Sequence, residues 1–96
     1  MTETSELIDR VSKSLGVPPD ALVAGGVKEY LRARLRAAKA EIHDLEARYM
    51  VGSPDELEEK IRKGTVDGHP AWEDLIQYES LVAYAEKIRK ELGSIP

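Results

Sequence analysis

The sequence contains no cysteine and no phenylalanine, and its aromatic residues are limited to one tryptophan and four tyrosines. Without cysteine the chain can form neither a disulfide framework nor a thiolate metal site. No apolar run approaches the roughly 20 residues that a membrane-spanning helix needs. The first residues carry glutamate where a signal peptide has basic residues. These absences predict a cytoplasmic protein.

Residues with reactive side chains occur, but without the partners that catalysis requires. No Gly-x-Ser-x-Gly motif is present, and neither His43 nor His69 belongs to a His-x-x-x-His or Glu-x-x-His pair. Adjacent acidic residues such as Glu58 and Glu59 are typical of a solvated helix face. Gly25-Gly26 lacks the preceding strand and the following Lys-Ser/Thr pair of a phosphate-binding loop. We therefore expect a protein that is not an enzyme and that has no catalytic residues, no metal and no cofactor.

Helical periodicity dominates the rest of the pattern, and no segment alternates as a strand does. The chain is predicted to be one all-α domain, with helices at about 4–15, 19–50, 54–63 and 70–92. Gly16 should end the first helix, Pro19 should begin the second, and Ser53 with Glu56 should form a capping box before the third. Whether Gly25-Gly26 bends the second helix stays open.

The long second helix carries an apolar stripe that it cannot bury by itself. Its members recur at the alternating spacing of three and four residues that is typical of coiled coils. A fourth helix running antiparallel to the second would form a helical hairpin, but it is shorter and should cover only part of the stripe. The uncovered remainder predicts a homodimer, hence a dimeric helical bundle. The core or dimer seam comprises Leu31, Leu35, Ala38, Ile42, Leu45 and Tyr49.

The distribution of charge bears on nucleic-acid binding. Residues 51–96 hold ten acidic and six basic residues and would repel a phosphate backbone. A short break around Gly16 resembles the turn of a helix-turn-helix, but the helix that follows begins with Asp20 and apolar residues rather than with base-contacting side chains. Nucleic-acid contacts are therefore only weakly indicated. The candidate residues are Lys28, Arg32, Arg36 and Lys39.

The segments Leu45–Met50, Ser53–Ile61 and His69–Glu79 together resemble a recurring pattern. It is similar to that of small helical archaeal and bacterial proteins assigned as antitoxins of type II toxin–antitoxin pairs, over residues 28–92. The resemblance implies that an aromatic and acidic stretch contacts a basic toxin surface. Trp72 is the anchor of this stretch, either as a core residue that closes the hairpin or as a partner contact. The partner-binding candidates are Trp72, Glu73, Asp74, Leu75, Ile76, Tyr78 and Glu79.

Three functions follow as expectations. The first is an antitoxin-like protein that binds and neutralises a partner protein through helix-mediated contacts. The second is a DNA-binding transcriptional regulator that uses residues 5–40. The third is a structural coiled-coil dimerisation protein. None of the three involves a membrane.

Overall fold

The structure is a computed structural model, and it describes residues 2–96, with side chains from Glu3 onward. It consists of four helices: α1 (Thr2–Leu15), α2 (Pro19–Tyr49), α3 (Pro54–Arg62) and α4 (Gly68–Ser94). His69 has extended rather than helical dihedral angles, so the continuous part of α4 begins at Pro70. The predicted all-α class is confirmed. Each predicted helix end differs from the observed one by at most two residues.

Local sequence signals explain most of the helix ends. Gly16 and Gly64 have positive φ angles of 69° and 74°, which glycine adopts without steric cost at a helix terminus. At the start of α3 the Ser53 hydroxyl accepts a hydrogen bond from the Glu56 amide at 3.2 Å. The Glu56 carboxylate in turn accepts from the Gly52 amide, one residue earlier than the reciprocal bond of a standard capping box.

Helices α2 and α4 pack as an antiparallel hairpin and make the most extensive interhelical contact. Two hydrogen bonds from tyrosines fix their register at the closed end. The Tyr78 hydroxyl donates to Glu46 at 2.7 Å, and the Tyr49 hydroxyl donates to Asp74, which also accepts from Arg48 at 3.0 Å. Because each tyrosine bonds across the interface, sliding one helix past the other would break both bonds.

The hairpin core lies around these tyrosines, and α3 closes it. The buried cluster is formed by side chains from α2, from the α2–α3 connection, from α3 and from α4. Lys60 on α3 donates to the carbonyl groups of Tyr49 and Met50 at the end of α2, at 2.8 and 3.2 Å. A cation there stabilises the carboxyl end of the long helix. The cluster comprises Leu45, Val51, Leu57, Ile61, Ala71, Leu75 and Tyr78.

The predicted seam of α2 faces into this hairpin. Ala38 and Leu45 are buried, Ile42 and Tyr49 pack against the core cluster, Leu31 and Leu35 are half-buried, and Leu31 shares a groove with Tyr84 and Ile88 of α4. α4 of the same chain therefore covers the seam from Ala38 to Tyr49, while Leu31 and Leu35 keep part of their surface exposed. The homodimer expected from the uncovered part stays a prediction.

The two hydrogen-bonded tyrosines give stability a pH dependence. Two causes raise the pKa of Tyr49 and the pKa of Tyr78. Burial is the larger cause, and hydrogen bonding to a carboxylate is the smaller one. The unfolded chain releases these protons near pH 10, before the folded protein does, so stability is full below about pH 10 and is lost as pH rises through the folded pKa values.

We therefore expect the free energy of unfolding to fall above about pH 10, by at most about 1.4 kcal/mol per pH unit for each tyrosine. Urea unfolding at a series of pH values measures this slope. Tyr78→Phe should remove about half of it. An identical slope in the wild type and in Tyr78→Phe would contradict the assignment.

The molecule is elongated, because α1 and the start of α2 extend beyond the hairpin. Its radius of gyration is 19.5 Å, compared with about 12–13 Å for a compact domain of this length. Continuing the hairpin register, Ser94 at the end of α4 lies level with about residue 28 of α2. Residues 2–27 are called the N-terminal arm below. No helix in residues 2–96 combines the length and apolarity required to cross a membrane.

Candidate functional site

The first turns of α4 present an exposed face that combines apolar and acidic side chains. Trp72 is 44% exposed and Ile76 is 63% exposed. Ile76 and Glu79 follow Trp72 at helical spacing, so the three side chains lie on one side of the helix. Glu73 is exposed at its flank and lies 3.3 Å from the His69 ring nitrogen Nδ1. Trp72, Glu73, Ile76 and Glu79 are called the α4 face below.

Gly68 positions the tryptophan of the α4 face. A methyl group at Gly68 would lie 3.2 Å from atoms Cδ1 and Nε1 of the Trp72 ring, closer than ordinary van der Waals contact. The indole therefore lies close over Gly68, and an alanine there would shift it by a few tenths of an ångström. The sequence analysis did not identify Gly68. The available signal was a glycine four residues before the only tryptophan.

Three of the predicted partner contacts are occupied within the chain. Leu75 and Tyr78 are buried in the hairpin core, so neither is available to a partner. Asp74 is half-buried and accepts hydrogen bonds from Tyr49 and Arg48. Its role is to hold α4 to α2. The predicted set therefore separates into core residues and the α4 face, because both sides of one helix lie within the Trp72–Glu79 segment.

The predicted basic residues share one side of α2. Lys28 is half-buried, and Arg32, Arg36 and Lys39 are exposed. Arg32 forms an ion pair with Glu29 at 2.6 Å. Arg34 lies elsewhere, donating to the Tyr84 hydroxyl at 3.2 Å with its guanidinium 5.8 Å from the centre of that ring. The basic row is thus accessible, although one of its four members is already paired.

The histidines and paired carboxylates occupy solvent-facing helix positions. His43 lies 3.5 Å from Glu46, and the side chains of His43 and His69 are 76% and 84% exposed. Glu58 pairs with Arg62 at 2.8 Å and Glu59 pairs with Lys63 at 3.2 Å, so the adjacent carboxylates each face a cation rather than one another. In the described part of the chain, no three metal-ligating side chains converge.

Comparison with known proteins assigns the chain to a family. The model of the Uncharacterized protein MJ0235 family matches residues 1–95. The chain belongs to that family. No curated protein and no solved structure matches it. Membership in the MJ0235 family covers all four helices, and the family description specifies no partner, so the antitoxin resemblance is carried forward below as a proposal.

Proposed function

We propose that this protein is a non-enzymatic protein-binding module, antitoxin-like in its action, which neutralises a partner protein through the α4 face. The observation that carries the proposal is Trp72, the only tryptophan, which remains nearly half exposed near the start of α4. Tryptophan is strongly enriched among the residues that dominate protein interfaces.

The chemistry of the α4 face defines the partner. Trp72 and Ile76 provide apolar area that fits a hydrophobic groove, as an amphipathic helix does in helix-in-groove recognition. Glu73 and Glu79 border this area, and residues 51–96 carry net negative charge. A partner with basic side chains around an apolar groove is complementary to both features. A basic toxin, as implied by the antitoxin resemblance, has this chemistry.

The proposal is tested with the products of the genes that flank its own, co-expressed with the full-length chain. We expect one of them to co-purify and its toxicity to be suppressed. Trp72→Ala should weaken the complex at least about thirtyfold, the loss expected for a central interface residue. The affinity is measured by calorimetry or surface plasmon resonance on the purified pair.

A matched control lies on another helix. Tyr30→Ala removes an aromatic side chain of α2 that is 65% exposed and lies outside the α4 face. We expect this variant to bind as the wild type does. If neither neighbouring product binds, or if both variants lose affinity equally, the α4 face is not the recognition surface.

The row of Lys28, Arg32, Arg36 and Lys39 favours a second candidate function, DNA binding by a transcriptional regulator. If these four residues contact four phosphates, a plot of log affinity against log salt concentration should have a slope of about −3.6. Titration of the protein's own promoter DNA at several salt concentrations separates the two functions. If the protein acts by binding another protein instead, we expect no DNA binding above low salt concentrations.

A further inference from the structure

The N-terminal arm is apolar but has no core of its own. All the buried hydrophobic residues that the structure describes lie between Ala38 and Ile88, and Ser12 is the buried residue of the arm, its hydroxyl donating to the Val17 carbonyl. Large apolar side chains of both arm helices are exposed, and the most exposed of them is Leu15 at 68%. They are Leu7, Leu15, Val23 and Val27.

The part of α2 that belongs to the arm is apolar around its whole circumference over residues 21–27. Residues 21–27 contain no charged and no polar side chain, and they occupy nearly two full helical turns. A helix that is apolar on every side belongs in a buried position. Here α1 contacts one part of this helix and leaves Val23 and Val27 in solvent. The segment is therefore incompletely covered by its own chain.

We propose that two copies of this chain dimerise through the N-terminal arm, each covering the apolar helix faces of the other. The accessible surface of the chain is 6951 Å², about 1,400 Å² more than a compact protein of this mass exposes. A standard dimer interface removes about 800 Å² from each partner. The excess surface of the whole chain is thus larger than the area that such an interface removes from one partner.

Charge favours a second copy and favours the arm as the place where it binds. The arm contains two basic and four acidic residues, none of them within residues 21–27. Two arms therefore meet without strong repulsion at the apolar segment, whereas two copies pairing through residues 51–96 would bring together regions with a net charge of −4 each.

An open groove of about 440 Å³ marks the side of the arm on which helices can approach closely. Its apolar lining comprises Leu15, Val17, Ala21, Leu22, Gly25 and Gly26, and the charged residues Lys28, Glu29 and Arg32 border one end of it. Nothing lies within 4 Å of the position of a Cβ atom on Gly25 or on Gly26. The monomer therefore does not require these glycines, although each lowers helix stability by about 1 kcal/mol relative to alanine. Close approach of the partner's helix is the packing that would require them.

The test is the mass of the full-length protein alone, measured by sedimentation equilibrium from micromolar to hundreds of micromolar concentrations. The wild type should reach twice the monomer mass of 10.7 kDa. Gly25→Leu should raise the dimer dissociation constant at least tenfold, while circular dichroism shows equal or greater helicity, because leucine is the better helix former. Val23→Glu, at an exposed position, should have the same effect on mass.

Two controls separate this dimer from other assemblies. Ala37→Leu adds a leucine at an exposed site on the same helix, about 18 Å beyond Gly25, and should not change the mass. Trp72→Ala should dimerise as the wild type does, so this test can fail or succeed independently of the proposed function. A wild type that is monomeric at every concentration, a dimer that survives both arm substitutions, or a dimer lost in Trp72→Ala would overturn the proposal.

Discussion

Leu45→Asp is expected to unfold the hairpin. Leu45 is 3% exposed and lies in the cluster that joins α2, α3 and α4. The substitution removes a packed leucine, which alone costs about 2–5 kcal/mol, and it places an unpaired carboxylate in an apolar site, which adds further cost. A domain of this size has a total stability of roughly 5–14 kcal/mol.

The measurement is thermal and urea unfolding followed by circular dichroism at one fixed protein concentration. We expect the midpoint temperature to fall by roughly 20 °C or more, or the helical signal to be lost at room temperature. Ala40→Asp introduces the same side chain at an exposed position of the same helix and should cost less than about 1 kcal/mol. A Leu45→Asp protein that melts like Ala40→Asp would mean that α4 does not cover the seam.

Leu57→Ala is expected to have the second-largest effect, with a loss of about 3 kcal/mol in the free energy of unfolding. Leu57 is 0% exposed, and it attaches α3 to the hairpin. A helix of nine residues is not stable by itself in water, so α3 depends on this contact and on its neighbour Ile61. Removing the side chain leaves a cavity that the short helix fills only partly.

Leu57→Met is the control, because it keeps the volume of the side chain and should cost less than about 1.5 kcal/mol. Hydrogen exchange adds a local measurement. In Leu57→Ala the amides of α3 should lose protection, and so should those at the end of α2, because Lys60 holds the carbonyl groups of Tyr49 and Met50 only while α3 is docked. If the amides of α3 and of the end of α2 keep wild-type protection in Leu57→Ala, as they should in Leu57→Met, the role given to Leu57 is contradicted.

Local chemistry determined the helices of this protein. Proline at the first position of α2 and α3, serine before α3, and glycine after α1 and α3 mark helix ends through the backbone conformations that these residues favour. The glycine pair at residues 25 and 26 does not interrupt α2, because the structure is helical throughout Pro19–Tyr49. The helix ends depend on residues a few positions apart, which is why the sequence alone indicates them, whereas it left open whether the glycine pair bends α2.

The candidate site was only partly predictable. Trp72 and Tyr78 lie six residues apart in one aromatic and acidic stretch, yet Trp72 is exposed while Tyr78 is 1% exposed and bonded to Glu46. Periodicity assigns both to an apolar segment, but it does not specify the angle at which α4 meets α2. That angle comes from long-range packing, whereas the contact of Trp72 with Gly68 is local, between residues four positions apart.

The sequence by itself thus determined that this protein is all-α and that α2 carries an apolar stripe from Leu31 to Tyr49. Only the tertiary structure decided how far α4 of the same chain covers this stripe, from Ala38 to Tyr49, and that large apolar side chains of the N-terminal arm stay exposed. The physical reason is that hydrophobic burial is not directional. A pattern of apolar residues shows that a helix face must be covered, whereas the position at which the chain returns decides what covers it.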